Sequence, residues 1–130
     1  MASQLVALLL GSGKFSFRLL EHHSKVRIEN CETVSGDIND PDSLERACQG
    51  MDGVLHLAAL THSCIDAEYF KVNRDGTRNL INACKKNDVK RFIFVSSVAA
   101  SGDGGAYGLS KLESEDLVCK SGLDWNVLRH

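Results

Sequence analysis

The sequence predicts an α/β fold, a three-layer α/β/α sandwich around a mostly parallel sheet. Three observations carry this. Short apolar runs alternate with helix-period stretches along the whole chain, the pattern of successive β-α-β units. Gly53 to Leu60 is almost continuously apolar, as strands covered on both faces are. The chain has 130 residues, room for one domain, with 43% hydrophobic and 25% charged residues. Those values belong to globular proteins and exclude disordered, collagen-like and coiled-coil readings.

The elements follow in order. Cys31 to Ser35 is a short strand ending at Gly36-Asp37. Asp40 caps a helix with Pro41 in its first turn and Gly50 beyond its end, and Leu44, Ala47 and Cys48 form its apolar face. Val54 to Leu57 is the next strand. A long helix runs from about Ala67 to Lys86, with Phe70, Leu80, Ile81 and Ala83 among its apolar positions. Arg91 to Val95 is the most strand-like segment of the chain. A helix over about Tyr107 to Lys120 ends before Gly122, and Trp125 to Leu128 makes a last strand.

The first thirty residues allow two readings. In one, Gln4 to Leu10 is a helix, Gly13 a turn and Phe15 to Leu20 a strand. In the other, Leu5 to Leu10 is a strand, Gly11-Ser12-Gly13 a phosphate loop and Phe15 to His22 a helix.

A net charge of -2 gives no basic excess to attract nucleic acid or an anionic membrane. The run Leu5 to Leu10 is too short to span a bilayer and has no basic flank. The cysteine count is odd and contains no C-x-x-C pair, which suits reduced thiols and a cytoplasmic location. All five (Cys31, Cys48, Cys64, Cys84 and Cys119) read first as small buried side chains.

Tyr107 and Lys111 are four residues apart on a helix, hence one turn apart on one face. A lysine ammonium beside a phenol favours the phenolate and suits it to acid/base work on an alcohol or ketone. Alone, Tyr-x-x-x-Lys is more often a solvated helix face. Here Ser96 and Ser97 directly follow an apolar strand, at the end where open parallel sheets bind ligands. His56, a lone histidine in an apolar strand, reads as a packing residue.

Six segments in unbroken order from Gly36 to Arg129 resemble the short-chain dehydrogenase/reductase superfamily, specifically its extended NAD-dependent epimerase/dehydratase type. They are Gly36-Asp37-Ile38-Asn39-Asp40, His56-Leu57-Ala58-Ala59, Val72-Asn73-Arg74-Asp75-Gly76-Thr77-Arg78-Asn79-Leu80, Phe94-Val95-Ser96-Ser97, Tyr107-Gly108-Leu109-Ser110-Lys111, and Gly122 to Arg129. The resemblance implies an NAD(P)-binding oxidoreductase or isomerase, either a dehydrogenase or a sugar-nucleotide epimerase/dehydratase. Ser97 would polarise the substrate oxygen and Tyr107 would be the acid/base. Lys111 would bind the nicotinamide ribose and lower the tyrosine pKa. Asp37 and Ile38 would hold the adenine, and Leu57, Ala58 and Ala59 would line the cofactor. Asn73 would lie beneath the site as a structural or proton-relay residue. The implied cofactor is NAD or NADP, with Glu21 near the end of the second strand favouring NAD through a ribose hydroxyl. The implied partner is a small-molecule substrate, a nucleotide sugar or a hydroxysteroid-like alcohol, with no metal and no nucleic acid. A homodimer is compatible with the resemblance.

The family's G-x-x-G-x-x-G fingerprint is not present. Gly11-Ser12-Gly13 is the sole candidate, and Lys14 and Phe17 stand where later glycines belong. The helix reading of Gln4 to Leu10 therefore fits better. On it, residues 1–130 are a partial Rossmann-like domain without its first strand and glycine loop, and without a C-terminal substrate domain: a fragment or shortened isoform. Such a chain would bind cofactor weakly, and a regulatory or interaction module without catalysis is the alternative function.

Overall fold

The computed structural model describes residues 5–11, 17–22 and 31–130. Its six strands are β1 (Leu5–Gly11), β2 (Phe17–Glu21), β3 (Cys31–Ser35), β4 (Met51–His56), β5 (Arg91–Ser96) and β6 (Asp124–Arg129). They form one sheet in the order β3-β2-β1-β4-β5-β6. β2 pairs with β3, β4 with β5 and β5 with β6 in parallel. β1 runs antiparallel to both its neighbours. The other five strands therefore share one direction, and β1 alone is reversed.

Each reading of the N-terminus holds for one segment and fails for the other. Leu5–Gly11 is a strand, not a helix, and Phe17–Glu21 is a strand, not a helix after a phosphate loop. An apolar run of six has no periodicity that separates buried strand from buried helix. Tertiary context decides it. Without a strand between them, β2 and β4 would each leave a row of backbone N–H and C=O groups unpaired in the centre of the sheet. β1 fills that slot from the opposite direction. Of the expected strand Phe15 to Leu20, the first two residues lie outside the described ones.

The helices are α1 (Pro41–Cys48), α2 (Asp66–Tyr69), a π-helical turn (Phe70–Asp75), α3 (Gly76–Lys86) and α4 (Gly105–Cys119). Asp40 caps α1 by accepting from the Asp42 N–H, with Pro41 at the first position, as its sequence predicts. The helix expected over Ala67 to Lys86 is one continuous path, interrupted by the π turn. α1 packs on α3, and α3 and the π turn pack on α4, making one helical layer of the expected sandwich.

Beneath that layer, alternate β5 residues Phe92 and Phe94 join Val54, Leu44, Leu80, Ile81 and Val118 in the core. His56 is buried there as expected, its ring stacked on Phe94 at 5.2 Å. Cys48 and Cys84 are buried free thiols, hydrogen-bonded to each other between α1 and α3. Cys64 and Cys119 are exposed, against expectation. Cys64 lies in the loop after β4 and Cys119 in the last turn of α4, on its solvent side. The side chain of Cys31 lies outside the described residues.

Candidate active site

Because β3, β4, β5 and β6 point the same way, their carboxyl ends lie along one edge of the sheet. Asp37 and Ile38 follow β3 there, Leu57 to Ala59 follow β4, and Ser97 follows β5. The sequence-predicted site residues are thus gathered on one edge, and α4 brings Tyr107 and Lys111 to it.

Lys111 is 1% exposed. Its Nζ donates to the Val95 carbonyl at 3.2 Å and lies 4.4 Å from the centre of the Phe94 ring. Burial pushes its ammonium down to about 8, partly opposed by the negative charge of Glu115. Glu115 itself is engaged by Arg129 through two bonds of 2.8 and 2.7 Å, which joins α4 to β6.

Tyr107 is half-buried, and none of the described residues bonds its hydroxyl. Its ring meets that of Tyr69 edge-on at 6.0 Å. Ser97 is half-buried, and its Oγ accepts from the Ala99 N–H at 3.1 Å, an ordinary loop cap that leaves the hydroxyl hydrogen free. Two glycines bring this loop against α4. A Cβ on Gly108 would collide with the Ala99 carbonyl oxygen, and one on Gly104 would come within 2.5 Å of the same atom. The Tyr-Gly pair at the start of α4 is thus a packing requirement of the loop that carries Ser97.

The segment Val72 to Leu80 explains itself residue by residue. Asn73 is buried, and its amide brackets the backbone of Leu60. Its Oδ1 accepts from Leu60 N–H at 2.8 Å, and its Nδ2 donates to Leu60 C=O at 3.1 Å and to Ser110 Oγ at 3.0 Å. The Asn73 carbonyl, in the π turn, accepts from the hydroxyls of Thr77 and Ser114. Thr77 Oγ1 also lies 2.9 Å from His56 Nε2. Gly76 allows Ile38 to pack where a Cβ would stand 2.6 Å from it, and Asn79 donates to the Ile38 carbonyl at 3.1 Å. This one helix therefore holds the post-β3 loop, the post-β4 loop and α4 in register.

In the loop after β3, Asp37 Oδ1 accepts from the Asn39 N–H at 2.8 Å, and Oδ2 is 3.2 Å from His22. Ile38 is buried, its side chain spent on the core. Ala58 is buried, and Leu57 and Ala59 are half-buried. Glu21 ends β2 at this same edge. Sequence reasoning passed over Thr77, Ser110 and Ser114, although Asn73/Thr77 and Ser110/Ser114 each show the four-residue spacing of one helix face. It also passed over Tyr69.

A family model for the 3-beta hydroxysteroid dehydrogenase/isomerase family matches residues 13–108. The chain belongs to that family. It is an epimerase/dehydratase-type short-chain dehydrogenase by descent, as the six ordered segments suggest. Over 81 residues it is 42% identical to an N-acetyl-alpha-D-glucosaminyl-diphospho-ditrans,octacis-undecaprenol 4-epimerase of Escherichia coli O157:H7, covering 61% of this chain and 23% of the relative. Over 87 residues it is 39% identical to an inverting UDP-N-acetylglucosamine 4,6-dehydratase of Campylobacter jejuni, covering 63% and 26%. Among solved structures, a dTDP-glucose 4,6-dehydratase double mutant from Streptomyces venezuelae with NAD bound superposes with a TM-score of 0.66 at 27% identity, over 78% of this chain and 38% of the other. The chain thus spans about a quarter of the length of the curated relatives it matches. Among the described residues, no helix is long and apolar enough to cross a membrane.

Proposed function

We propose that this chain carries the Ser-Tyr-Lys half of an NAD(P)-dependent sugar-nucleotide epimerase/dehydratase or related oxidoreductase site. The observation that carries this reading is Lys111. A lysine buried under the carboxyl end of β5, one turn after a tyrosine whose hydroxyl bonds no described residue, costs stability that a neutral side chain bridging α4 and β5 would not. The relatives' names, and the NAD in one structural neighbour, supply the reaction class and cofactor.

The residues fit such a cofactor at its two ends but not in the middle. Asp37 and Ile38 after β3, with Glu21 at the end of β2, would hold an adenosine, and Leu57 to Ala59, Tyr107 and Lys111 a nicotinamide riboside. The pyrophosphate calls for backbone N–H groups at a helix N-terminus after the central strand. Here the central strand is reversed, so Gly11 ends β1 beside Met51, at the edge opposite Ser97. Gly11 therefore lies away from such a loop, and Ser12 and Gly13 of the expected phosphate loop lie outside the described residues. What this chain's own residues can do is local. Ser97 donates to a substrate oxygen, Tyr107 gives or takes that oxygen's proton, and Lys111 holds positive charge beside them.

A binding module that keeps the fold without turnover is the second reading, favoured by that same reversed strand. Calorimetry with NAD, NADP and AMP separates the two. The catalytic reading expects NAD to bind, and oxidation or epimerisation of a nucleotide sugar to be lost in Tyr107→Phe. NAD binding no tighter than AMP, with no turnover, selects the module. Micromolar NAD binding would overturn the placing of Gly11 away from such a loop.

A further inference from the structure

Two side chains one turn apart hold the loop after β4, and they do it in the same way. Asn73 brackets Leu60, bonding both its N–H and its C=O. Tyr69 brackets Ser63: its hydroxyl accepts from the Ser63 N–H at 2.8 Å and donates to the Ser63 C=O at 3.2 Å. Each then reaches α4 at a matching interval. Asn73 bonds Ser110, and the Tyr69 ring meets the Tyr107 ring. The loop, the π turn and α4 are thus joined by two rungs, Leu60–Asn73–Ser110 and Ser63–Tyr69–Tyr107.

We infer that Tyr69 is the positioning residue of the site: its ring sets the orientation of Tyr107, and its hydroxyl ties that orientation to residues 60–65. The inference rests on the reading of Tyr107 as the acid/base. It divides the chain's two tyrosines by chemistry. The Tyr69 hydroxyl spends its hydrogen and a lone pair on one residue's backbone, so it has no proton to lend. The Tyr107 hydroxyl bonds no described residue and is available. An edge-on aromatic contact is directional, so it restricts how the Tyr107 ring turns rather than merely filling space. A substrate group that displaces Ser63 would move Tyr107 through this rung.

The two parts separate on substitution. Tyr69→Phe keeps the ring and removes the hydroxyl, whereas Tyr69→Leu removes both. With 3-fluorotyrosine incorporated, the chain shows two fluorine resonances, and Tyr69→Phe leaves the Tyr107 signal alone. That signal is expected at its wild-type position in Tyr69→Phe, and displaced and broadened in Tyr69→Leu. The Ser63 amide is expected to exchange about tenfold faster in both, the loss of one hydrogen bond. A Tyr107 resonance identical in the Phe and Leu variants overturns the inference. Should the Leu variant not fold, the wild-type chain decides: the absence of a nuclear Overhauser contact between the two tyrosine rings overturns it equally. Neither readout depends on turnover. An inactive chain with this contact intact sinks the catalytic reading and keeps the positioning, while a catalytically competent chain without the contact does the reverse.

Discussion

Lys111 donates from α4 to the Val95 carbonyl at 3.2 Å, with its ammonium stacked on Phe94 and closed off from solvent. The bond draws the start of α4 down onto the carboxyl end of β5, where Ser96 and Ser97 leave the sheet. It also leaves a positive charge in the apolar layer, which sets the molecule's first pH dependence.

In the unfolded chain that ammonium titrates near its ordinary value of about 10.4, and in the folded chain near about 8. Between these values the unfolded chain holds a proton that the folded chain has released. Stability therefore rises with pH across this window, and below it the full penalty applies. The gap corresponds to about 3 kcal/mol. Lys111→Met is expected to flatten the rise and to stabilise the chain at neutral pH by about 1–2 kcal/mol, less than the whole because the Val95 bond is lost. Urea unfolding of both proteins at about pH 7 and about pH 10 measures it. Equal pH slopes would show that the lysine is not buried as described.

Asn73 makes three amide bonds, two of them to the half-buried backbone of Leu60. Replacing it by Ala leaves Leu60 N–H, Leu60 C=O and one bond of Ser110 without partners. Each unsatisfied buried group costs about 1–3 kcal/mol. A total loss of about 3 kcal/mol is expected, a fall of about 10 °C in the melting temperature for a domain of this size. Asn73→Asp keeps the acceptor for Leu60 N–H but faces a carboxylate toward the Leu60 carbonyl, so it should not rescue. A thermal melt of Asn73→Asp at the wild-type midpoint would contradict the clamp.

The site residues from Gly36 onward were legible because each motif residue answers a local demand visible in its type. Asn can bracket a backbone, Gly76 admits Ile38, and Ser97 directly follows a strand. Cross-element bonds were not legible. Nothing in the spacing of Ser114 names the Asn73 carbonyl as its partner, because the π turn that contains that carbonyl leaves no periodic signature in six residues. The N-terminus failed for the opposite reason. Leu5 to Leu10 suits helix and strand equally, and its fate depends on two strand edges that are remote in sequence.

The glycines near Tyr107 give a graded test. A Cβ on Gly108 meets the Ala99 carbonyl, which belongs to backbone and cannot rotate away. Gly108→Ala is expected to cost about 1–3 kcal/mol and to shift the Ser97 loop off α4. Gly102 has open space around it, so Gly102→Ala in the same loop should be neutral. Comparing both by chemical denaturation, and by the amide shifts of residues 97–101, separates contact from loop sensitivity. Equal effects would mean that the loop does not rest on Gly108.

The reversed central strand makes the sharpest claim of the fold. β1 pairs with β2 in the register Leu8↔Leu19 and with β4 in the register Leu9↔Val54, both antiparallel. Antiparallel partners in the close pairing bring their Cα atoms to about 4.5 Å, so Hα–Hα contacts are strong there, and parallel pairing gives none of that pattern. Cross-strand Hα–Hα contacts are therefore expected from β1 to β2 and to β4, and not between β4 and β5. Because β1 is hydrogen-bonded on both sides, its amides should be among the slowest to exchange. Leu8→Pro removes a ladder donor and imposes a fixed φ in a central strand, where proline is not accommodated. Leu8→Pro is expected to cost about 3 kcal/mol or more, while proline at Asp103, in the exposed loop before α4, serves as the control for generic chain effects. A stable, well-dispersed Leu8→Pro protein, or Hα–Hα contacts missing on either side of β1, would return the central slot to an unfilled state and reopen the phosphate-loop reading of Gly11-Ser12-Gly13.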